Sequence, residues 1–221
     1  MRLDTFITPW GSEIKAYSRE GTIDWNTLQS CIVEDEYQIQ LLSDHGIAID
    51  LGGYIGGATL ALIARGWYVY TLEPLPENIE IIKKNLELNN FEKSCTLIEG
   101  ALGTDKIYYK DPSTEYGKVH YFNGGPEGTS PRSVKKLSLA QIFKDYKIKH
   151  CNFLKIDIEG SEWNLDFQNN IDRVAAEIER PTGTSTQEYG SLLPGLTDVS
   201  EHYFPKWCNP GDRVHGYYIK I

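Results

Sequence analysis

The sequence predicts an α/β fold, a mostly parallel sheet with helices on both faces. Three observations carry the prediction. Apolar strand-like runs alternate with helical patterns from residue 46 to 179. A glycine-rich turn, Gly52-Gly53-Tyr54-Ile55-Gly56-Gly57, joins the first of these strands to the first helix. The C-terminal "HGYYIKI" reads as a strand suited to an antiparallel place in the sheet.

Taken in order, short strands are expected at Thr5-Ile7 and Glu13-Tyr17 about the turn "TPWGS". A helix follows with Asp24 as N-cap and Trp25, Leu28 and Ile32 at helical spacing. "GIAID" is a buried strand, "GATLALIA" a helix apolar on nearly every side, and "WYVYTL" a second strand. Pro76 opens the next helix, which buries Ile79, Ile82 and Leu86 and pairs Glu80 with Lys84 on its exposed side. "CTLIEG" is the third strand. "KIYYK" and "KVHYF" suggest a hairpin, followed by the loop "NGGPEGTSPRS". A strand at Val134-Leu137, a helix capped by Ser138, the strand "CNFLKID", a helix near Glu162-Gln168 and the strand "RVAAEIE" complete the alternation.

These boundaries divide the chain into an N-terminal cap lobe, 1–45, and a main domain, 46–221. The main domain carries a hairpin insert at 106–133 and a substrate-side segment at 181–212. Tyr189, Tyr203, Phe204 and Trp207 would form an aromatic wall there, or pack a small lobe.

The net charge of −9 and the lack of any basic run argue against a nucleic-acid partner. The apolar run Leu51–Ala64 is too short to span a membrane, and the N-terminus lacks a signal-peptide pattern, so a cytoplasmic protein is expected. Cys31, Cys95, Cys151 and Cys208 are scattered, suggesting neither a zinc site nor a disulfide framework.

A turn beyond the carboxyl end of a parallel strand is where open α/β sheets bind ligands. A dinucleotide fingerprint starting at Gly52 needs glycine at position 54, where backbone approaches a pyrophosphate; Tyr54 obstructs that approach. A phosphate-free nucleoside such as S-adenosylmethionine relaxes the demand. Asp50 would then meet its ammonium, directly or through water, and Glu73, ending the second strand, its ribose hydroxyls. Plainer readings compete, with the glycines making only a structural turn and Glu73 favouring the start of the Pro76 helix.

Three blocks, "AIDLGGYIGGATL", "YTLEPLPENIEIIKKNLELNN" and "FLKIDIEGSE", together resemble the FkbM family of S-adenosylmethionine-dependent methyltransferases, which are class I and Rossmann-like. The family's glycine block usually reads D-x-G-A-N-x-G. Asp50, Gly52 and Gly56 match it, whereas Gly53 and Tyr54 depart from it. The resemblance implies that Asp50, Gly52, Gly53, Tyr54, Gly56, Glu73 and Asp157 form the cofactor site, with Glu99-Gly100-Ala101 flanking the adenine. It also implies methyl transfer, often to a hydroxyl of a sugar, glycan or small natural product. A hydroxyl acceptor must lose a proton, and Asp157, Glu159 and His120 are the candidate bases. Asp157 and Glu159 also suit a divalent ion, but no further ligand clusters with them in the sequence and no metal is expected. The competing functions are an NAD-dependent oxidoreductase and a non-catalytic nucleoside-cofactor-binding protein.

Overall fold

A computed structural model describes residues 1–109, 130–179, 185–203 and 213–220. The chain opens with an antiparallel hairpin, β1 (Arg2–Ile7) and β2 (Glu13–Ser18), and a short helix α1 (Asp24–Leu28) that runs on as a π-helical turn, Gln29–Val33. Then come β3 (Ile47–Leu51), α2 (Gly57–Ala64), β4 (Tyr68–Glu73), α3 (Pro76–Leu88) and β5 (Cys95–Glu99). Four short strands follow: β6 (Ala101–Leu102), β7 (Lys106–Tyr109), β8 (Ser130–Ser133) and β9 (Lys136–Leu137). The rest is α4 (Leu139–Asp145), β10 (Phe153–Ile156), β11 (Arg173–Glu179), α5 (Thr186–Gly190), β12 (Thr197–Asp198), α6 (Ser200–Tyr203) and β13 (Arg213–Ile219).

The central sheet runs β12-β13-β11-β10-β3-β4-β5. Pairings from β11 through β10, β3 and β4 to β5 are parallel, and β13 enters antiparallel to β11, as its sequence predicts. From β3 the chain winds outward through β4 and β5, then returns to lay β10 on the other side of β3. The strand order therefore reverses between β3 and β10, and a crevice opens beyond their carboxyl ends.

One core lies on each face of the sheet. Period-two alternation sends Ala48 and Phe153 to one face and Ile49, Leu51, Leu154 and Ile156 to the other. The first core also contains Phe6, Ile14, Leu28 and Ile32, so the N-terminal segment shares its packing with α2 and the sheet.

Several local expectations change. Asp24 is the first residue of α1, with Ile23 at the cap position, because its carboxylate is drawn to Arg19 and Tyr54. Glu80 pairs with Lys83 at 2.8 Å instead of Lys84. The helix expected near Glu162-Gln168 is one 3₁₀ turn, Glu162–Asn164. Lys106–Tyr109 pairs with Ser130–Ser133, part of the expected loop; the other expected arm, 118–122, lies outside the described residues. Ser138 does cap α4, accepting from the Gln141 amide at 3.0 Å. Among the described residues, no helix is long and apolar enough to cross a membrane.

Candidate functional site

The crevice contains a cavity of about 310 Å³. Gly52 and Tyr54 after β3, Glu73 and Pro74 at the end of β4, Gly100 to Leu102 after β5, and Asp157 to Glu159 after β10 form its sheet-side wall. The N-terminal segment closes the opposite side with Asn26, Thr27, Ser30, Glu36 and Tyr37, and β11 contributes Glu177.

Gly52 is required by a close approach. Its φ is +84°, and a Cβ there would stand 1.8 Å from the Asp157 carbonyl oxygen. Gly53 lies outside the cavity wall, where a Cβ would stand 2.3 Å from Thr71 Cγ2. Gly56 also lies off the wall and caps α2 in the left-handed region.

Tyr54 is in left-handed backbone, φ +49°. Its amide donates to Glu73 Oε2 at 2.9 Å, and its phenol donates to Asp24 Oδ1 at 2.6 Å. Arg19 grips the same Asp24 with Nε and Nη2 and stacks over the Tyr54 ring. The tyrosine thereby ties the turn to the N-terminal segment. Burial, with the Asp24 carboxylate beside it, raises the phenol pKa above its ordinary value.

Glu73 is 4% exposed. Besides the Tyr54 amide, it accepts from the Leu75 amide and from Asn78 Nδ2, both at 3.0 Å on Oε1. Burial pushes its pKa up to about 7 against these donors. Asn78 also lines the cavity, and its Oδ1 is buried with no hydrogen-bond partner among the described residues. Since Nδ2 is committed to Glu73, that oxygen is open to a donor from water or a ligand. Two acceptors, Glu73 Oε2 and Asn78 Oδ1, thus fit the hydroxyl or amino groups of a nucleoside. Gly100 and Ala101 are on the wall, whereas Glu99 is exposed and away from it.

Asp50 does not reach the cavity wall. It is fully buried, and strand register sets it between Thr71 of β4 and Lys155 of β10. The Thr59 hydroxyl donates to its Oδ2 at 2.6 Å, and Lys155 Nζ lies 3.1 Å from its Oδ1. Asp50 is thus engaged in an internal ion pair beneath the glycine turn. Lys155 is the residue that sequence reasoning missed, although a lysine within the buried strand "FLKI" was a visible signal. It donates to the Gly52 carbonyl at 2.6 Å and stands 3.7 Å from Asp157 Oδ2. Burial alone would lower its pKa, but Asp50 and Asp157 hold it above the usual lysine range.

Asp157 lines the cavity and accepts from the Tyr37 hydroxyl at 3.1 Å. Glu159 follows it on the wall in left-handed backbone, φ +52°. Glu162 turns inward to accept from the Ile158 and Gly160 amides, so it folds the loop that presents both. Burial pushes the pKa of Glu36 up to about 7, and Glu177 and Asp157 add to the rise. Tyr189 is fully buried against Trp163, Phe167 and Tyr218, and Tyr203 packs on Tyr217, so these two aromatics stand off the wall. His120, Phe204 and Trp207 lie outside the described residues.

Among curated proteins, none matches this chain. Similar solved structures include the putative methyltransferase yhhF from Escherichia coli, at 9% identity and TM-score 0.47 over 98% of both chains. The N-terminal domain of human METTL16 in complex with SAH is 12% identical, with TM-score 0.48 over 92% of this chain and 71% of that one. M. capricolum TrmK, in complex with S-adenosyl-homocysteine, is 11% identical, with TM-score 0.45 over 82% of this chain and 63% of that one. The model of the methyltransferase FkbM domain matches residues 50–174, more than half of the chain. That span runs from the buried acid beneath the glycine turn into β11, and on it the chain belongs to the FkbM family of S-adenosylmethionine-dependent methyltransferases.

Proposed function

We propose that this methyltransferase acts on a hydroxyl oxygen of a sugar, glycan or small natural product, which enters on the side of the N-terminal segment. One observation carries the reading. The cavity wall has five carboxylates, Glu36, Glu73, Asp157, Glu159 and Glu177, and no Lys, Arg or His among its described lining residues. Such a wall repels the phosphates of a nucleic acid or of a dinucleotide, and it offers acceptors for the proton a hydroxyl must give up.

S-adenosylmethionine, when bound, supplies a sulfonium methyl open to in-line displacement. The chain's part is to hold and orient. Glu73 and Asn78 provide acceptors for nucleoside hydroxyl or amino groups, while Gly52 keeps the floor of the turn flat against β10. Asp157 has Oδ2 engaged by Tyr37, and its other oxygen is the acceptor for the hydroxyl proton. Holding reactants at near-attack distance accounts for much of the acceleration open to such a site.

The test is transfer of a labelled methyl group to a panel of neutral hydroxylated acceptors and to RNA. Labelling of a hydroxyl acceptor is expected. Asp157→Asn should lower kcat by about 10²–10⁴-fold, the usual contribution of a general base, with S-adenosylhomocysteine affinity within tenfold of wild type. Label appearing in RNA alone, or an unchanged kcat in the variant, would overturn the assignment.

A further inference from the structure

Three side chains outside the donor contacts described above converge beside the cavity. Glu36 lies in the N-terminal segment, Glu177 on β11 and His215 on β13. Strand pairing fixes two of them, because Glu177 and His215 are direct register partners, with Oε2 and Nε2 3.7 Å apart. Folding of the N-terminal segment brings Glu36 to the same point. One ligand atom from each residue lies within 4.8 Å of the other two.

That spacing is slightly wider than a metal ion requires. Bonds of about 2.0–2.2 Å to nitrogen and oxygen put neighbouring ligand atoms roughly 3.0 to 3.5 Å apart, so small side-chain rotations close the set. All three residues are partly buried, and no hydrogen-bond donor reaches the Glu36 carboxylate among the described residues. Glu36 and Glu177 also face the cavity, on a wall without a basic side chain among its described residues.

We propose that Glu36, Glu177 and His215 bind one divalent cation at the acceptor end of the cavity. An imidazole beside two carboxylates favours a first-row transition ion or zinc over magnesium or calcium. Glu36 and Glu177 line the same cavity as Asp157, so a hydroxyl acceptor in that cavity has access to the ion. A hydroxyl bound there loses its proton more readily, and Asp157 stands ready to accept it. This last role rests on the proposed methyl transfer; cation binding does not.

The experiment is calorimetric titration of the full chain with Mn²⁺, together with the electron paramagnetic signal of the free ion. One saturable Mn²⁺ per chain is expected, together with a raised melting temperature. In Glu36→Gln and His215→Ala, which alter separate elements, binding should be at least ~10-fold weaker, since even outer ligand partners are worth 10–100-fold in affinity. Absence of saturable binding by the wild-type protein up to millimolar Mn²⁺ overturns the site, whatever the variants do. So does unchanged affinity in variants that melt like the wild type. S-adenosylhomocysteine titrated into the same samples separates the two readings. Its binding without Mn²⁺ binding removes the cation site alone, and the reverse result removes the methyl-donor site alone.

Discussion

Tyr54 stands in left-handed backbone, a conformation that costs an L-residue roughly 1–2 kcal/mol. Asparagine, the family's usual residue at this point, adopts it more readily, because a short polar side chain bonds locally. Here the phenol compensates by donating to Asp24, a fully buried carboxylate otherwise held by Arg19. Tyr54→Phe should therefore destabilise the protein by about 1.5–3 kcal/mol, the range for a hydrogen bond to a charged group, as read from urea unfolding. Affinity for S-adenosylhomocysteine should change less than threefold, because Glu73 is held by the backbone amide of residue 54 and not by its ring. An equal stability of the two proteins would mean that the latch to the N-terminal segment contributes nothing.

The elements around β3 are legible in the sequence for a physical reason. Strand, glycine turn, apolar helix and Pro-initiated helix each leave a local mark in period or punctuation, and Glu73, Gly100, Ala101 and Asp157 occupy strand ends that those marks define. Glu36, Tyr37, Glu177 and His215 leave none, because they meet only when the N-terminal segment closes over the sheet and β13 inserts beside β11. The ion pair of Asp50 with Lys155 leaves no mark for a related reason, since strand register creates it and a single strand cannot reveal its neighbour. The junction of β3 and β10 can be tested by comparing two glycines of similar φ. Gly52, at +84°, would press a Cβ against the Asp157 carbonyl, whereas Gly11, at +87°, has nothing within 4 Å. Gly11→Ala should lose only the ~1–2 kcal/mol of backbone strain. Gly52→Ala should lose a further 1–3 kcal/mol for overpacking and bind S-adenosylhomocysteine poorly. Equal losses in denaturant unfolding would show that the two strand ends part without effort.

Across the whole molecule, carboxylates are buried in and beside the cavity, which ties stability and ligand binding to pH in opposite senses. Glu73 and Glu162 each have an ordinary pKa near 4.5 that burial pushes up to about 7 in the folded protein. Between these values the folded chain holds protons that the unfolded chain has released. Their contribution to stability is therefore complete below about pH 4.5 and is lost as pH rises through 7. For Glu73 alone the change is on the order of 3 kcal/mol, so the ligand-free protein should melt at progressively lower temperature from pH 5 to 7.5. A nucleoside that donates hydroxyl protons to Glu73 Oε2 favours the ionised form instead. Affinity for S-adenosylhomocysteine should accordingly rise from pH 6 to 8, with protons released on binding below pH 7. Calorimetry in two buffers of different ionisation heat measures that release directly. Glu73→Gln should remove its share of both trends, and its amide, a donor placed against the Tyr54 and Leu75 amides, should weaken binding at least ~10-fold, about the 1–3 kcal/mol of an unsatisfied buried group. A wild-type affinity that stays flat across this range, with no proton release, would show that the ligand's donors go elsewhere, leaving Glu73 only to shape the turn between β4 and α3.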